Sequence, residues 1–542
     1  MSQPKKQSFL HGTVLLAASA ALVKVIGALY KIPLNAIIGE QGFSYFNTAY
    51  DIYSMLLAIS VAGLPLAMSR LISEASALGH YNQVRRVYRT ARALYLVLGL
   101  VGSLLMILFC KPLARFQEQP DAWFAIACLG PSLLLIGIMS SFRGFFQGQG
   151  NMTPTAVSQV LEAIFKLIVG MVAALLLLQL TSKYSFAAGG AILGVTTSCV
   201  FSVIYLFFCY RKAKRTLPVT DEPMSSYGST LKKLLAIAIP VTIGSAGLSL
   251  LALLETKIYM GQLINLGYSQ DQADVMKGVY DMARTLYNMP LAFITPISVS
   301  IVPAITAYVA TNEHKEAKAT GESALRIMSL IIIPCMAGLA VMAEPVMALL
   351  GGYEGNNLSL STALMTILSI AMPLQSMVII TNAIMQGHGR VNLPVINMFI
   401  GGLIKLVCTS ILSGNPHLGI MGAPISAIIG YISMMTLNIF TLRRCTPNAP
   451  AILRQTVRPL VAALVMAGIV LSCRLGLVAL LNSASFQGIL SSNTLRKLII
   501  TALPITVGVV VYAFSVVKFK AITREDCMLL PKGEKIANFL HL

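Results

Sequence analysis

Fourteen apolar segments, each long enough to cross a lipid bilayer as a helix, follow one another along almost the whole chain. They lie at 12–38, 45–71, 88–110, 122–146, 153–179, 187–210, 232–260, 277–306, 325–350, 359–386, 391–413, 420–442, 456–480 and 494–518. At a rise of ~1.5 Å per residue each spans the ~30 Å hydrocarbon layer. No water is available there to satisfy a bare backbone, so the choice is between helices and a closed barrel. Strand-length alternation of polar and apolar residues is absent, and the expectation is therefore an all-α polytopic membrane protein. Composition agrees, with 11% charged residues and 56% hydrophobic ones over 542 positions, against the ~25% charge of a soluble domain. The first segment is too long for a secretion signal and carries Lys24 and Lys31.

Those lysines belong to a set of eight ionisable residues in or at the ends of apolar runs: Lys24, Lys31, Asp51, Arg70, Glu255, Lys257, Asp281 and Arg284. A charge near the bilayer centre costs at least ~2.5–3.5 kcal/mol, which makes such residues candidates for function. Lys24 and Lys31 are seven apart and share a helix face. Helical rise puts Lys24 near mid-depth and Arg70 at the cytosolic mouth. Asp51, Glu255, Lys257, Asp281 and Arg284 then cluster toward the outer side. Lys24, Lys31, Arg70 and Arg284 are the candidate contacts for an anionic substrate. Asp51, Glu255, Lys257 and Asp281 are candidate gate residues, with Asp51 and Asp281 paired to Lys31, Arg284 or Lys257. Blander roles compete for each: Lys31 and Lys257 snorkelling to headgroups, Arg70 anchoring at the interface, Asp281 and Arg284 pairing locally. Glu162 and Lys166, at i and i+4, are expected to neutralise each other.

The net charge of +20 is mainly a topology signal. With the amino terminus in the cytosol, 26 of the 40 Lys and Arg fall on the cytosolic side and 6 in outer loops, Lys277 being counted among the latter. This positive-inside bias sets both termini in the cytoplasm and matches anionic inner-leaflet lipid. It leaves no case for nucleic-acid binding. The nine cysteines make no CxxC pair and no metal-ligand spacing with histidine, which fits apolar filler. No metal or cofactor is expected. A nucleotide loop of the form GxxxxGK[ST] is missing, and His80 and His314 stand singly on polar arms, so no enzymatic constellation emerges.

The chain repeats itself. Gln147-Gly-Gln-Gly150 is matched by Gln386-Gly-His-Gly389, and the same shift carries Lys166-Leu167 onto Lys405-Leu406. Pro154 and Pro394 follow the two blocks. Tyr50-Asp51 matches Tyr280-Asp281, and Pro65 and Ser69 match Pro296 and Ser300. Parallel repeats place a substrate site between lobes. The expected organisation is a first lobe at 1–215, a linker at 216–231, a second lobe at 232–444, and two further spans with a cytosolic tail at 445–542. The Gln-Gly-x-Gly blocks read as tight turns.

Leu22-Val-Lys-Val-Ile-Gly-Ala-Leu-Tyr-Lys-Ile-Pro33 with Ile38-Gly39, then Val61-Ala-Gly-Leu-Pro65 with Ser69-Arg70, then the two Gln-Gly-x-Gly turns form an ordered set. In that order the chain resembles the multidrug/oligosaccharidyl-lipid/polysaccharide exporter superfamily, and within it the stage V sporulation protein B and MurJ-type lipid II flippases. The resemblance covers essentially the whole chain. It implies a bacterial plasma-membrane flippase with a central cavity lined by spans 1, 2, 7 and 8, and a lipid-tail groove at spans 13 and 14. Span one carries lysines where Gram-negative members carry arginines. Thr285 and Asn288 precede Pro290 where those members have Arg and Glu.

The function these readings imply is movement of a polyprenyl-diphosphate-linked cell-wall precursor, lipid II above all, from the inner to the outer leaflet. Its partners would be the lipid-linked anionic glycan, membrane lipids and the cell-wall synthesis machinery. Two alternatives stand beside it: export of another lipid-linked polysaccharide unit, and multidrug or cation antiport. Antiport of cations calls for unpaired acids in the cavity, whereas here bases outnumber acids. The energy source, whether membrane potential, an ion gradient or downstream consumption, is left open.

Overall fold

The computed structural model describes residues 9–61, 63–216, 225–446, 449–482 and 493–522, apart from a few side chains within those ranges. Every regular element among them is helical. In chain order these are α1 (Phe9–Val61), α2 (Leu64–Ala77), α3 (Tyr81–Leu108), α4 (Cys110–Phe116), α5 (Trp123–Gly148), α6 (Thr153–Thr181), α7 (Tyr184–Thr216), α8 (Tyr227–Asn265) and α9 (Gln270–Leu291). Then come α10 (Ile294–Ala310), α11 (His314–Val341), α12 (Ala343–Val346), α13 (Gly355–Gly387), α14 (Asn392–Ser413), α15 (Gly422–Cys445), α16 (Ile452–Asn482) and α17 (Asn493–Lys518). Two compact units divide the chain, Met1–Asp281 and Met282–Leu542, so that α8 and the first half of α9 pack with the amino-terminal helices.

Each of the fourteen expected apolar segments overlaps one of these helices. Among the described residues, twelve helical stretches are long and apolar enough to span a membrane, or thirteen if the bent pair α9 and α10 counts as one. The first stretch, Leu29–Ser76, joins two expected segments in one run. That run is not straight. Tyr30 and Phe46 are sixteen residues apart, ~24 Å along a straight helix, yet their ring centroids are 6.1 Å apart. The chain folds back at Gly39, whose φ of 66° and ψ of 178° lie in a region essentially restricted to glycine. Residues 9–38 and 40–61 are therefore two limbs of a helical hairpin.

The two Gln-Gly-x-Gly blocks form the same helix ending. Gly150 N donates to Gln147 O and Asn151 N to Phe146 O, at 3.0 and 2.9 Å. In the second copy Gly389 N donates to Gln386 O and Arg390 N to Met385 O, at 2.9 and 3.0 Å. This is the Schellman arrangement, and it needs a left-handed residue, supplied by Gly150 at φ 75° and Gly389 at φ 76°. The first glycine of each block has a different task. A Cβ on Gly148 would stand 2.6 Å from Ile72 Cβ, and one on Gly387 2.8 Å from Ile305 Cβ. Hydrogen there lets α2 press against α5, and α10 against α13. The blocks are thus tight helix ends, as their composition implied.

Candidate polar gate in the amino-terminal unit

The fold-back at Gly39 sets the second limb of α1 against α9. A Cβ on Gly278 would lie 1.9 Å from Glu40 O, so the two backbones meet there without an intervening side chain. Ser44 and Thr48, one turn apart, point from α1 into this contact. Gln119, from the short 3-10 turn before α5, reaches in beside them. Its amide nitrogen donates to Ser44 Oγ at 2.5 Å and to Asp274 Oδ1 at 2.7 Å, and its amide oxygen accepts from the Thr48 hydroxyl. One side chain thereby uses both donors and its acceptor.

Asp274 is the hub. It also accepts from Tyr45 Oη at 2.9 Å and Gln270 Nε2 at 3.1 Å. Ser44, Thr48, Gln119, Asp274 and Lys277 are all fully shielded from solvent. Hydrogen bonds to a carboxylate are stronger than those between neutral groups, and burial strengthens them further. Lys277, one helical face further along, donates to Asp281 Oδ2 at 2.6 Å and to Ser44 O at 3.4 Å. Gln270 donates to Glu118 O at 2.6 Å and Gln41 to Asp271 at 3.0 Å at the layer's edge. The result is a solvent-shielded polar layer tying α1, α9 and the turn before α5 together.

The expected site residues distribute unevenly around it. Lys31 Nζ donates to Asn47 Oδ1 at 3.1 Å and lies 5.8 Å from the Phe43 ring centroid. Asp51 accepts from Thr256 Oγ1 at 3.3 Å, which brings the α1 and α8 charges onto neighbouring surfaces. Glu255 is buried. Lys257 instead turns to α4, its Nζ 4.0 Å from the Phe116 ring centroid, a cation–π contact. Arg70 is exposed on α2, and Arg284 is partly buried in the carboxy-terminal half of α9. Lys24 falls within the first limb of α1, and its side chain lies outside the described residues.

Two expectations need correction. Lys277 is not an outer-loop residue but a buried member of α9, and it is the lysine that pairs with Asp281. The periodicity to find it was present, since 274, 277 and 281 share a helix face; the segment limit drawn at 277 hid it. Glu162 makes its direct ion pair with Arg143 of α5, at 3.0 Å, and its charge acts on Lys166 of its own helix only from beyond ion-pair contact. Lys166 Nζ sits 5.4 and 4.8 Å from the ring centroids of Tyr30 and Tyr50. Its repeat counterpart Lys405 is likewise 5.9 Å from the Tyr431 ring. Gln119, Tyr45 and Gln270 escaped the sequence reading because amides and phenols near segment ends look like solvated loop residues.

Among the described residues, an all-helical bundle with charges sequestered inside apolar helices defines a multi-pass membrane protein. The structure is similar to the solved lipid II flippase MurJ in an inward closed conformation, with a TM-score of 0.66 and 13% identity over 93% of this chain and 98% of that one. It is similar in the same degree to an inward-facing multidrug resistance MATE family transporter, with a TM-score of 0.65 and 16% identity over 78% and 98%. In sequence it is 26% identical to stage V sporulation protein B of Bacillus subtilis over 82% of this chain and 85% of that protein. It is 25% identical to lipid II flippase MurJ of the same organism over 84% and 87%. Residues 9–309 match the polysaccharide biosynthesis protein family. The chain belongs to that family.

Proposed function

We propose that this protein is a lipid flippase that carries a polyprenyl-diphosphate-linked glycan, the peptidoglycan precursor lipid II being the favoured cargo, from the inner to the outer leaflet. The observation that supports this most is a sealed polar layer centred on Asp274 in the same unit as lysines held inside apolar helices. A diphosphate needs cations at membrane depth, and a transporter needs a closure that can be made and broken without exposing bare backbone. Lys24 and Lys31, on one limb of the α1 hairpin, would hold the diphosphate by charge-assisted hydrogen bonds. Arg70, exposed on α2, would capture it at the cytosolic mouth, and Arg284 would take part further along α9. The Asp274 layer, with Asp281 and Lys277, would be the outer gate, and Asp51, Glu255 and Lys257 its flank.

The relatives' names support the reading, since two of them are a lipid II flippase and a sporulation protein of similar length. The family's description, polysaccharide biosynthesis, favours one second reading, export of another lipid-linked glycan. The likeness to a multidrug transporter is one of fold.

Depletion of the protein in cells without a redundant flippase tests the proposal. Precursor synthesis should continue while precursor accumulates in the inner leaflet, out of reach of an enzyme added outside. Failure of a different glycan pathway, with lipid II crossing normally, moves the assignment to the second reading. Normal crossing of every polyprenyl-linked glycan refutes both.

A further inference from the structure

A second cationic site lies away from the gate, between α3 and α7. A cavity of about 280 Å³ is lined by Arg85, Arg89, Arg92 and Lys214, with Tyr88 and Tyr210 as its floor. No carboxylate is among its described lining residues. Arg85, Arg89 and Arg92 stand at i, i+4 and i+7 on one face of α3. Like charges at such spacing repel, so an anion held by Arg89, Arg92 and Lys214 is favoured.

The floor is built rather than incidental. Tyr88 stacks on Tyr210 with ring centroids 4.6 Å apart, and Phe145 of α5 meets both edge-on at 5.3 and 5.0 Å. Tyr88 is 2% exposed; its hydroxyl has the Tyr210 and Ser141 hydroxyls as neighbours but no hydrogen-bond partner among the described residues. A buried hydroxyl left so is costly. It lines a cavity whose described charged groups are all cations, and a ligand oxygen would satisfy it.

Above the cations the cavity wall turns apolar, through Ala93 and Leu96. The same face of α3 continues with exposed Leu100 and Leu104, and α7 runs away from Lys214 with exposed Phe207 and Ile204. In a membrane-spanning unit these stripes meet acyl chains. Positive-inside counting sets this end of α3 at the cytosolic leaflet. We infer that the α3–α7 cavity is a binding site for the phosphate headgroup of an anionic phospholipid, with the acyl chains along the two apolar stripes. The guanidinium groups and Lys214 hold the phosphate, and the Tyr88 hydroxyl donates to one of its oxygens. Basic crevices between spans on the cytosolic side suit such headgroups. The site does not depend on the flippase reading.

Native mass spectrometry of the full-length protein, stripped of lipid and titrated with phosphatidylglycerol or phosphatidylcholine, tests it. The wild type should retain phosphatidylglycerol in preference to phosphatidylcholine. R89Q/R92Q should lose that preference about thirtyfold, as two membrane-surface charges are worth. Y88F keeps the aromatic floor and should lower affinity for phosphatidylglycerol about tenfold through the missing hydrogen bond to a charged group. Equal retention of the two lipids by the wild type overturns the proposal, as does an unchanged preference in R89Q/R92Q. If that double variant does not fold, an unchanged affinity of Y88F for phosphatidylglycerol overturns it instead. Displacement of phosphatidylglycerol by millimolar inorganic phosphate assigns the site to a free anion and also overturns the lipid.

Discussion

Lys277 Nζ stands 2.6 Å from Asp281 Oδ2, one helical turn along α9, with the two side chains 0% and 4% exposed. Two desolvated charges at this distance stabilise one another, but each is expensive to leave alone. Lys277→Met should therefore destabilise the protein by ~3–5 kcal/mol, read as a lowered melting temperature in detergent. Lys277→Met combined with Asp281→Leu should recover most of that loss. A double variant as unstable as the single one would mean that the pair is not a coupled unit.

Asp274 accepts three hydrogen bonds in the polar layer, from Tyr45, Gln119 and Gln270. Asp274→Ala removes all three acceptor contacts and should loosen α9 from α1. On a background without reactive native cysteines, Ser54→Cys, one turn along α1 from Asp51, should be labelled several times faster by an impermeant outside reagent. Unchanged labelling in a folded Asp274→Ala protein would exclude a gate at this layer.

Lys24 lies mid-span on the first limb of α1, where a cation is costly without a role. Lys24→Ala should abolish complementation of a flippase-depleted strain, and Lys24→Arg should retain part of it because the charge survives. Full complementation by Lys24→Ala at normal expression would remove Lys24 from the substrate path.

The two glycines of each Gln-Gly-x-Gly block should respond differently. Gly148→Ala puts a methyl group 2.6 Å from Ile72 Cβ, and overpacking of that kind costs ~1–3 kcal/mol. Gly150→Ala meets open space but keeps a positive φ, and should cost about 1 kcal/mol. Thermal melts that rank Gly150→Ala as the more damaging would contradict the division of labour between them.

How far the sequence carried depends on the kind of signal. Hydropathy located the apolar helices, because a lipid-facing helix must be apolar along its whole length. It counted fourteen spans, where twelve or thirteen described stretches meet the length and apolarity of one. Repetition of short blocks located the paired Schellman endings, since glycine at positive φ has few substitutes. The gate was less legible. Asp281 was singled out, while Lys277, a partner four residues earlier, was assigned to a loop. Gln119 was invisible, although it holds Ser44, Thr48 and Asp274 at once, because its partners come from positions 71, 75 and 155 residues away. Periodicity describes one helix at a time, and contacts between helices need the packing itself.

The fold-back at Gly39 also bears on how the chain enters its membrane. A first limb released alone would carry Lys24 and Lys31 into lipid, at ~2.5–3.5 kcal/mol for a charge near the centre. Lys31 finds Asn47 only on the returning limb, and Tyr30 finds Phe46 there too. The two limbs are therefore expected to leave the insertion machinery together, as a preassembled pair. Gly39 then matters before the protein has any activity: replaced by a residue that cannot adopt its backbone angles, it would strand a doubly charged helix at the point of synthesis.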